Sequence, residues 1–197
     1  MNTQDVTNSI RNYMIDNSGF ETTRSYLSIS HISGCPRRAV DEYKNGFTVN
    51  ENTYRMCFAG YDQEKSIRGI LEKTGILVIH GLEVIAPFDN RLRGHVDGIS
   101  KDGDLIEIKS LSVKKWEKLL LANKAFYEHY CQCQLYMLYG KFNQTFIVYR
   151  NRETYEHKVI SFDFSPAKAH ELELKSRIIL DAINTGNLPK CECGHCK

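Results

Sequence analysis

A predicted β-hairpin in the middle of the chain constrains the fold more than any other feature of the sequence. Residues 92–100 and 104–109 read as two strands, and the turn signal Lys101-Asp102-Gly103 lies between them. Strands that are joined by such a short turn must lie side by side and run antiparallel. Side chains from the two strands therefore meet on a shared face, wherever the rest of the chain packs.

Three polar side chains of this hairpin converge on one point. Because alternate residues of a strand face the same way, Glu107 and Lys109 share one face, while Ile106 and Ile108 point into the core. The antiparallel return brings the Asp97 carboxylate alongside Glu107. The hairpin thus gathers two carboxylates and one ammonium group.

Such a cluster can hydrolyse phosphodiester bonds. Carboxylate oxygens are hard ligands that hold Mg²⁺ or Mn²⁺, and the bound metal lowers the pKa of a water molecule. A nearby lysine can orient or deprotonate that water and offset negative charge in the transition state. Triplets of two acids and a lysine are also frequent by chance, so an exposed hairpin with an ordinary Glu–Lys pair is the alternative at this point.

The remaining segments alternate between helical and strand-like patterns. Ser33 offers an N-cap to a short helix with Pro36 in its first turn, and Ser165-Pro166 begins the last helix. This order predicts an α/β fold in which a central mixed β-sheet is flanked by helices. The predicted helices cover residues 6–16, 35–43, 52–73, 116–123, 125–139 and 166–186, and the predicted strands cover residues 76–79, 82–85, 92–100, 104–109, 146–149 and 157–162.

Two further motifs flank the hairpin. A Gly-x-x-x-Glu pattern, Gly60 to Glu64, lies on the helix before it, and a Gln-x-x-x-Tyr pattern, Gln132 to Tyr136, lies on the helix after it. With these motifs in this order, residues 30–150 resemble the RecB-like and lambda-exonuclease-like branches of the PD-(D/E)XK nuclease superfamily. A match of four parts in one order is much rarer by chance than a match of any single part.

The resemblance implies a restriction-endonuclease-like core and a role for each matched residue. Asp97, Glu107 and the main-chain carbonyl of Ile108 would bind the Mg²⁺ or Mn²⁺ ion, and Glu64 would be a further acid beside it. Lys109 would be the catalytic lysine. The glutamate at position 64 matches the lambda-type branch, whereas the RecB-like branch has histidine there, so both branches stay open.

The helix after the hairpin would contribute the post-catalytic glutamine. Gln132 matches that position, and Gln134 competes with it because one helical face cannot present both residues equally. Tyr136 lies one turn after Gln132, and we expect it either near the DNA or in the core.

Seven cysteines are many for a chain that we expect in a reducing compartment, where clustered thiols indicate metal ligands before disulfides. One cysteine upstream of the core and three near the C-terminus resemble the iron–sulfur nucleases of the RecB-like branch, among them the CRISPR-adaptation nucleases. In that arrangement four thiolates hold a [4Fe–4S] cluster that clamps the two ends of the chain together. The matching residues are Cys35, Cys191, Cys193 and Cys196.

The terminal C-x-C-x2-C spacing is tighter than the spacing usual in those nucleases. It leaves a zinc ion as an alternative, bound by four thiolates or by three thiolates and the imidazole of His195. A tail without a metal is the third possibility. Cys57, Cys131 and Cys133 lie within predicted helices, and we expect them to be small buried residues.

The net charge of +2 gives little support for nucleic-acid binding, so contacts to DNA must come from local clusters. Arg37 and Arg38 follow Cys35 directly and could clamp phosphates, and Lys114 and Lys115 follow the catalytic strand and could form a basic rim. Nearby aromatic residues either stack on unpaired bases or pack in the core: Trp116, Tyr127 and Tyr130.

These patterns predict a metal-dependent DNA exonuclease that acts on single-stranded or tailed ends. We expect a single domain of residues 1–197 with its catalytic core at about residues 50–165. The resemblance implies work in CRISPR adaptation or in phage-type or mobile-element recombination and repair, with DNA and the proteins of either process as partners. Lambda-type relatives form rings, so a homo-oligomer is also open.

Two other classes of function compete with this interpretation: a DNA-binding or inhibitory module without catalysis, and a metal-clamped protein that binds another protein. No apolar run reaches the roughly 20 residues that span a bilayer, and the N-terminal segment is polar. We therefore expect a cytoplasmic protein of bacterial, archaeal or phage origin that has no membrane partner.

Overall fold

The computed structural model describes residues 3–18, 23–47, 50–194 and 196. Helices and strands follow the predicted order along most of this part of the chain. The helices are α1 (Thr3–Asp16), α2 (Pro36–Asn45), α3 (Glu51–Lys73), α4 (Val113–Ala122), α5 (Tyr127–Gly140) and α6 (Pro166–Thr185). Among these helices, none is both long and apolar enough to cross a membrane.

The strands form two mixed sheets. They are β1 (Leu27–Ser28), β2 (Leu77–Ile79), β3 (Glu83–Ile85), β4 (Leu92–His95), β5 (Gly98–Ser100), β6 (Leu105–Leu111), β7 (Gln144–Asn151) and β8 (His157–Asp163). The five-stranded sheet has the order β2-β5-β6-β7-β8, with β6 and β7 parallel, and the three-stranded sheet has the order β1-β4-β3, with β1 and β4 parallel. The predicted mixed sheet flanked by helices is confirmed, and the three-stranded sheet is an addition to it.

The strand predicted over residues 92–100 is divided into two strands that belong to different sheets. The chain bends at Val96 and Asp97, between β4 and β5. The Val96 N–H donates to the Leu82 carbonyl at 3.0 Å, and the Asp97 carboxylate accepts a hydrogen bond from the Ile108 N–H at 2.6 Å. These contacts hold the chain as it passes from one sheet to the other. The prediction of one continuous strand was therefore wrong.

Capping residues account for the ends of two helices. The side chain of Ser165 caps α6, and Gly186, with φ of 80°, ends it as predicted. The N-cap of α2 is Cys35 and not the predicted Ser33. Pro36 sets that start because it occupies the first helical position, where a missing N–H leaves no bond unmade. The first cysteine of the terminal cluster is thus held at the start of a helix.

β6 runs through the centre of the five-stranded sheet and is buried on both faces. Four consecutive residues are buried: Leu105, Ile106, Glu107 and Ile108. On one face, Ile106 and Ile108 pack with Ile67 of α3. The other face lies under α5, which belongs to the crossover that the parallel pair of β6 and β7 requires. A glutamate in so enclosed a strand is an exception among otherwise apolar side chains.

Gly94→Ala tests how closely α5 packs against β4. A Cβ atom at residue 94 would lie 2.6 Å from the hydroxyl oxygen of Tyr136, whose side chain is buried. We expect the free energy of unfolding, measured by urea denaturation, to fall by about 1–3 kcal/mol. Gly69→Ala in α3 is the control, because its Cβ meets no atom within 4 Å and alanine favours the helix. Unchanged stability of Gly94→Ala would contradict this packing.

Candidate functional site

Glu107 and Lys109 form an ion pair on the face of β6 that lies under α5. Lys109 Nζ contacts Glu107 Oε1, and the two side chains are 26% and 1% exposed respectively. They are two positions apart in a strand, so both side chains point to the same face. Burial alone would lower the pKa of Lys109, but the carboxylates of Glu107 and Asp97 outweigh it and raise that pKa. The lysine is therefore an ammonium ion at neutral pH.

The bend between β4 and β5 brings Asp97 to the same place. Because β5 pairs antiparallel with β6, Asp97 lies beside the middle of β6, where the Ile108 N–H donates to its Oδ2 at 2.6 Å. Burial raises the pKa of the Asp97 carboxyl group, and its charge acts on both Glu107 and Lys109. The structure thus brings together the three residues of the predicted hairpin cluster.

α5 contributes a glutamine that holds Glu107. Gln132 Nε2 donates to Glu107 Oε1 at 2.9 Å, and both side chains are buried. Gln134 donates to the Asp163 carbonyl at 3.0 Å and accepts from the Ser165 N–H at 2.8 Å, which fastens the start of α6. Residues two apart on a helix face different directions, and the structure places Gln132, not Gln134, beside Glu107.

Tyr136 lies one turn further along α5. Its hydroxyl oxygen is 3.4 Å from Gln132 Nε2, and its ring is packed against the main chain at Gly94. Burial, and then the charge of Glu107, raise the pKa of this hydroxyl. The sequence left open whether Tyr136 lies near the DNA or in the core. The structure places it in the core, behind Gln132.

α3 brings a third carboxyl group towards the hairpin. Ile67 anchors α3 against β6, and Glu64, on the same helix, accepts a hydrogen bond from Arg68 Nη1 at 2.9 Å. Burial, and then the negative charge of Asp97, raise the pKa of Glu64 to about 7. The charge of Asp97 thus acts on Glu64, the acid that the motif predicts beside the metal.

The donor atoms of this cluster fit a hard divalent cation. Glu107 Oε2 is buried and has no hydrogen-bond partner within the described part of the chain. Burial, and then the charge of Asp97, raise the pKa of Glu107 to about 8. A buried carboxylate oxygen without a donor is costly unless a proton or a cation compensates it. Carboxylate oxygens are also the ligands that Mg²⁺ and Mn²⁺ prefer.

His129 of α5 lies next to the site, and the sequence analysis did not identify it. Its Nδ1 atom is 3.0 Å from the hydroxyl oxygen of Tyr149, a residue that pairs with Lys109 between β6 and β7. Burial, and then the positive charge of Lys109, lower the pKa of His129 to about 3, so the imidazole is neutral at pH 7. Its spacing of three residues from Gln132 on one helix was the signal that could have found it.

The cations predicted to contact DNA lie at two helix starts. Lys114 and Lys115 are exposed in the first turn of α4, directly after β6. Arg37 and Arg38 begin α2, next to the N-cap Cys35. Arg37 is half-buried, whereas Arg38 is exposed and forms an ion pair with Glu42 at 2.7 Å.

The start of α2 and the segment after α6 meet at four cysteines, which confirms their predicted clustering. The Sγ atom of Cys196 lies 3.7 Å from that of Cys35 and 3.3 Å from that of Cys193, and the Sγ atoms of Cys191 and Cys193 are 3.6 Å apart. All four sulfur atoms lie within 4.8 Å of one another. This spacing fits a bound metal, since four sulfur ligands of one tetrahedral ion are about 3.8 Å apart. His195, the alternative ligand, lies outside the described residues.

Comparison with solved structures identifies the fold. The alkaline exonuclease LHK-Exo from Laribacter hongkongensis is similar over 82% of this chain and 89% of its own, with a TM-score of 0.68 and 16% identity. Its complex with dAMP covers the same shares with a TM-score of 0.66 and 14% identity. The protein SSO0001 is similar over 90% of this chain and 87% of its own, with a TM-score of 0.61 and 16% identity.

A phage-related exonuclease from Haemophilus somnus 129PT is similar over 81% of this chain and 93% of its own, with a TM-score of 0.50 and 12% identity. No protein-family model and no curated protein matches the sequence. The likenesses show that this chain shares the fold of these solved structures.

Metal-free protein should lose stability as the pH rises from about 4.5 to about 7. The pKa of Glu64 is raised from 4.5 to about 7 by folding. The folded state therefore binds more protons than the unfolded state in this window, and stability falls as the pH increases. We expect a loss on the order of 1–3 kcal/mol, measured as urea midpoints in EDTA.

Glu64→Gln is the matched variant for this measurement, because it keeps the size of the side chain and cannot ionise. It should have a smaller slope of stability against pH than the wild type, and Mn²⁺ should stabilise the wild type most above pH 7. Equal slopes for the two proteins would contradict the placement of Glu64 beside Asp97.

Proposed function

We propose that this protein is a divalent-metal-dependent exonuclease of the PD-(D/E)XK superfamily that hydrolyses phosphodiester bonds in DNA. The observation that carries the proposal is the meeting of Asp97, Glu107 and Lys109 with the buried amide of Gln132. The fold shared with LHK-Exo, an alkaline exonuclease that was also solved with dAMP, supports the same chemistry for this chain. We further propose that the chain works as a single domain, with the catalytic core at about residues 50–165.

Asp97, Glu107 and Glu64 would hold the Mg²⁺ or Mn²⁺ ion together with the main-chain carbonyl of Ile108. The N–H and C=O of one residue in an extended strand point to the same side. Because the Ile108 N–H points at Asp97, its carbonyl faces that carboxylate too. When bound, the metal would lower the pKa of the attacking water and offset charge on the phosphate.

Each protein group then has a defined task. Lys109, which forms an ion pair with Glu107, would act as a cation and a hydrogen-bond donor or take a proton from the attacking water. It orients the attacking water and stabilises negative charge that develops on the phosphate oxygens. Gln132 holds Oε1 of Glu107 in place and so leaves Oε2 free to bind the metal.

Exposed cations support DNA as the substrate. Lys114 and Lys115 follow the strand that carries Lys109, so we propose that they contact phosphates next to the cleaved bond. Arg37 and Arg38 would contact phosphates further away. Trimming of single-stranded or tailed ends suits either CRISPR adaptation or recombination, and the proteins of those processes would be its partners.

Lys109→Ala should lower the rate of Mn²⁺-dependent cleavage of 5′-labelled single-stranded DNA by about 10²–10³-fold, because it removes a preorganised cation from the site. Lys101→Ala is the control: it lies on the turn of the same hairpin, its side chain is 63% exposed, and it should cut at the wild-type rate. Circular dichroism checks that both variants fold. Cleavage by Lys109→Ala at the wild-type rate would contradict the proposed mechanism.

For the cysteine cluster we propose one zinc ion bound by four thiolates. A [4Fe–4S] cluster contains four iron atoms with one thiolate each, so its sulfur ligands stand further apart than those of a single ion. Sulfur atoms that all lie within 4.8 Å of one another favour the single ion. The site would contribute to the free energy of folding, because it does not exist in the unfolded chain.

Cys193→Ser should release the zinc and lower the melting temperature on the order of 10 °C, as expected for a loss of a few kcal/mol in a chain of this size. Cys57→Ser is the control, since Cys57 is half-buried in α3 and lies outside the cluster. Mass spectrometry of the wild type should find about one zinc per chain, with no visible absorption band. Iron together with a broad visible band would establish a [4Fe–4S] cluster instead.

A further inference from the structure

An aromatic groove lies between the loop that joins α4 to α5, the first turn of α5 and the edge strand β8. Its volume is about 430 Å³, and its walls include Lys124, Tyr127, Tyr130, Ile160 and Phe162. The rings of Tyr130 and Phe162 have their centroids 4.9 Å apart, and Tyr127 is 56% exposed. The groove therefore presents flat apolar surfaces to solvent.

The structure separates the aromatic residues that the sequence grouped together. Trp116 is 5% exposed and belongs to the core, so it offers no surface for stacking. Tyr127 and Tyr130, by contrast, line the groove. Tyr127 is exposed, whereas Tyr130 and Phe162 pack on one side against the core; exposed aromatic rings are the usual platforms for nucleic-acid bases.

The groove lies on the same face of the sheet as the catalytic pair. Glu107 pairs with Ile147, and Ile147 pairs with Ile160 in the groove wall. Neighbouring strands are about 4.8 Å apart, so the groove lies roughly 10 Å from Glu107. The loop between α4 and α5 forms the wall opposite β8. It is fixed to β7, the strand between β6 and β8, because the Phe126 N–H donates to the Tyr149 hydroxyl at 3.2 Å.

Lysines outnumber acidic residues in the segment from α4 to the start of α5. Residues 113–126 contain four lysines and one glutamate. Lys158 pairs with Tyr149, and Tyr149 pairs with Lys109, so lysines stand at both ends of one cross-strand row. Lys124 and Lys158 have no ion-pair partner within the described ranges of the chain. Such unpaired cations complement a phosphate backbone.

We propose that this groove binds unpaired bases of single-stranded DNA beside the catalytic centre. The proposal rests on the proposed nuclease function and assigns the preference for single-stranded ends to this groove. Bases stack on the face of Tyr127 that Lys168 does not cover and contact the Tyr130–Phe162 pair, while Lys124 and Lys158 contact the backbone. A duplex cannot use the groove in this way, because its bases are already stacked on one another. The groove thus favours single-stranded or tailed ends over blunt duplexes.

Equilibrium binding of the full chain to fluorescein-labelled oligo(dT) of twelve nucleotides, in EDTA, tests the proposal. Tyr127→Ala should weaken binding by roughly 5-fold to 100-fold, whereas Tyr127→Phe, which keeps the ring, should bind as the wild type does. Tyr155→Ala is the matched control and should not change binding. Tyr155 is 54% exposed and lies over Arg150, whose guanidinium reaches Ser66 of α3 on the other face of the sheet.

A second variant examines the backbone contact separately. Lys124→Ala should reduce the slope of log affinity against log salt concentration by about 0.7, the change expected for one phosphate contact on a single strand. A blunt duplex of the same length should bind more weakly than the single strand. If Tyr127→Ala weakened duplex binding as much as single-strand binding, stacking in the groove would be overturned.

A cleavage assay of the wild type with Mn²⁺, combined with the binding measurements, distinguishes failure of the groove proposal from failure of the proposed nuclease function. If the wild type cuts DNA but Tyr127→Ala binds oligo(dT) as tightly as the wild type, the groove proposal fails and the nuclease stands. If the wild type does not cut but Tyr127→Ala still weakens single-strand binding, the groove stands and the nuclease fails. If the wild type neither cuts nor binds single strands, both are wrong.

Discussion

The buried carboxylate of Glu107 is the constraint on which the site depends. β6 is enclosed on both faces, so an ionised glutamate there loses its hydration and needs partners within the fold. Lys109 and Gln132 supply partners for Oε1, and Oε2 is left without a donor among the described residues. A metal-free chain can hold this arrangement only if the pKa of the Glu107 carboxyl group is raised. A divalent cation would complete it, so the incomplete hydrogen bonding is itself an argument for metal chemistry.

The topology of the sheet explains how Gln132 comes to lie beside the Glu107 carboxylate. Parallel strands need a crossover, and the one between β6 and β7 carries α4 and α5 across the face that holds Glu107. Gln132 then reaches Glu107, while Gln134 fastens the start of α6 and Tyr136 fills the space over Gly94. One helix therefore positions the carboxylate and closes the core at once.

Local patterns predicted the local structure around the site better than its tertiary arrangement. The turn and the alternation of Glu107 and Lys109 depend on neighbours in sequence, and so they could be predicted. The bend at Asp97 depends on an N–H eleven residues away, and the N-cap at Cys35 is supported by the Glu192 N–H at 3.3 Å from its sulfur. Helical periodicity showed that only one of two glutamines could face the site, but the choice of Gln132 depends on which side of α5 meets the sheet.

The cysteine cluster and the acidic site are connected through three packed helices. It joins the start of α2 to the segment after α6, and α2 packs against α6 along its length. α6 packs in turn against α5, and Gln134 holds the start of α6 by two hydrogen bonds. Gln132 lies on that same α5 and holds Glu107. A continuous series of helix contacts and hydrogen bonds, through α2, α6 and α5, therefore joins the cysteine cluster to the carboxylate.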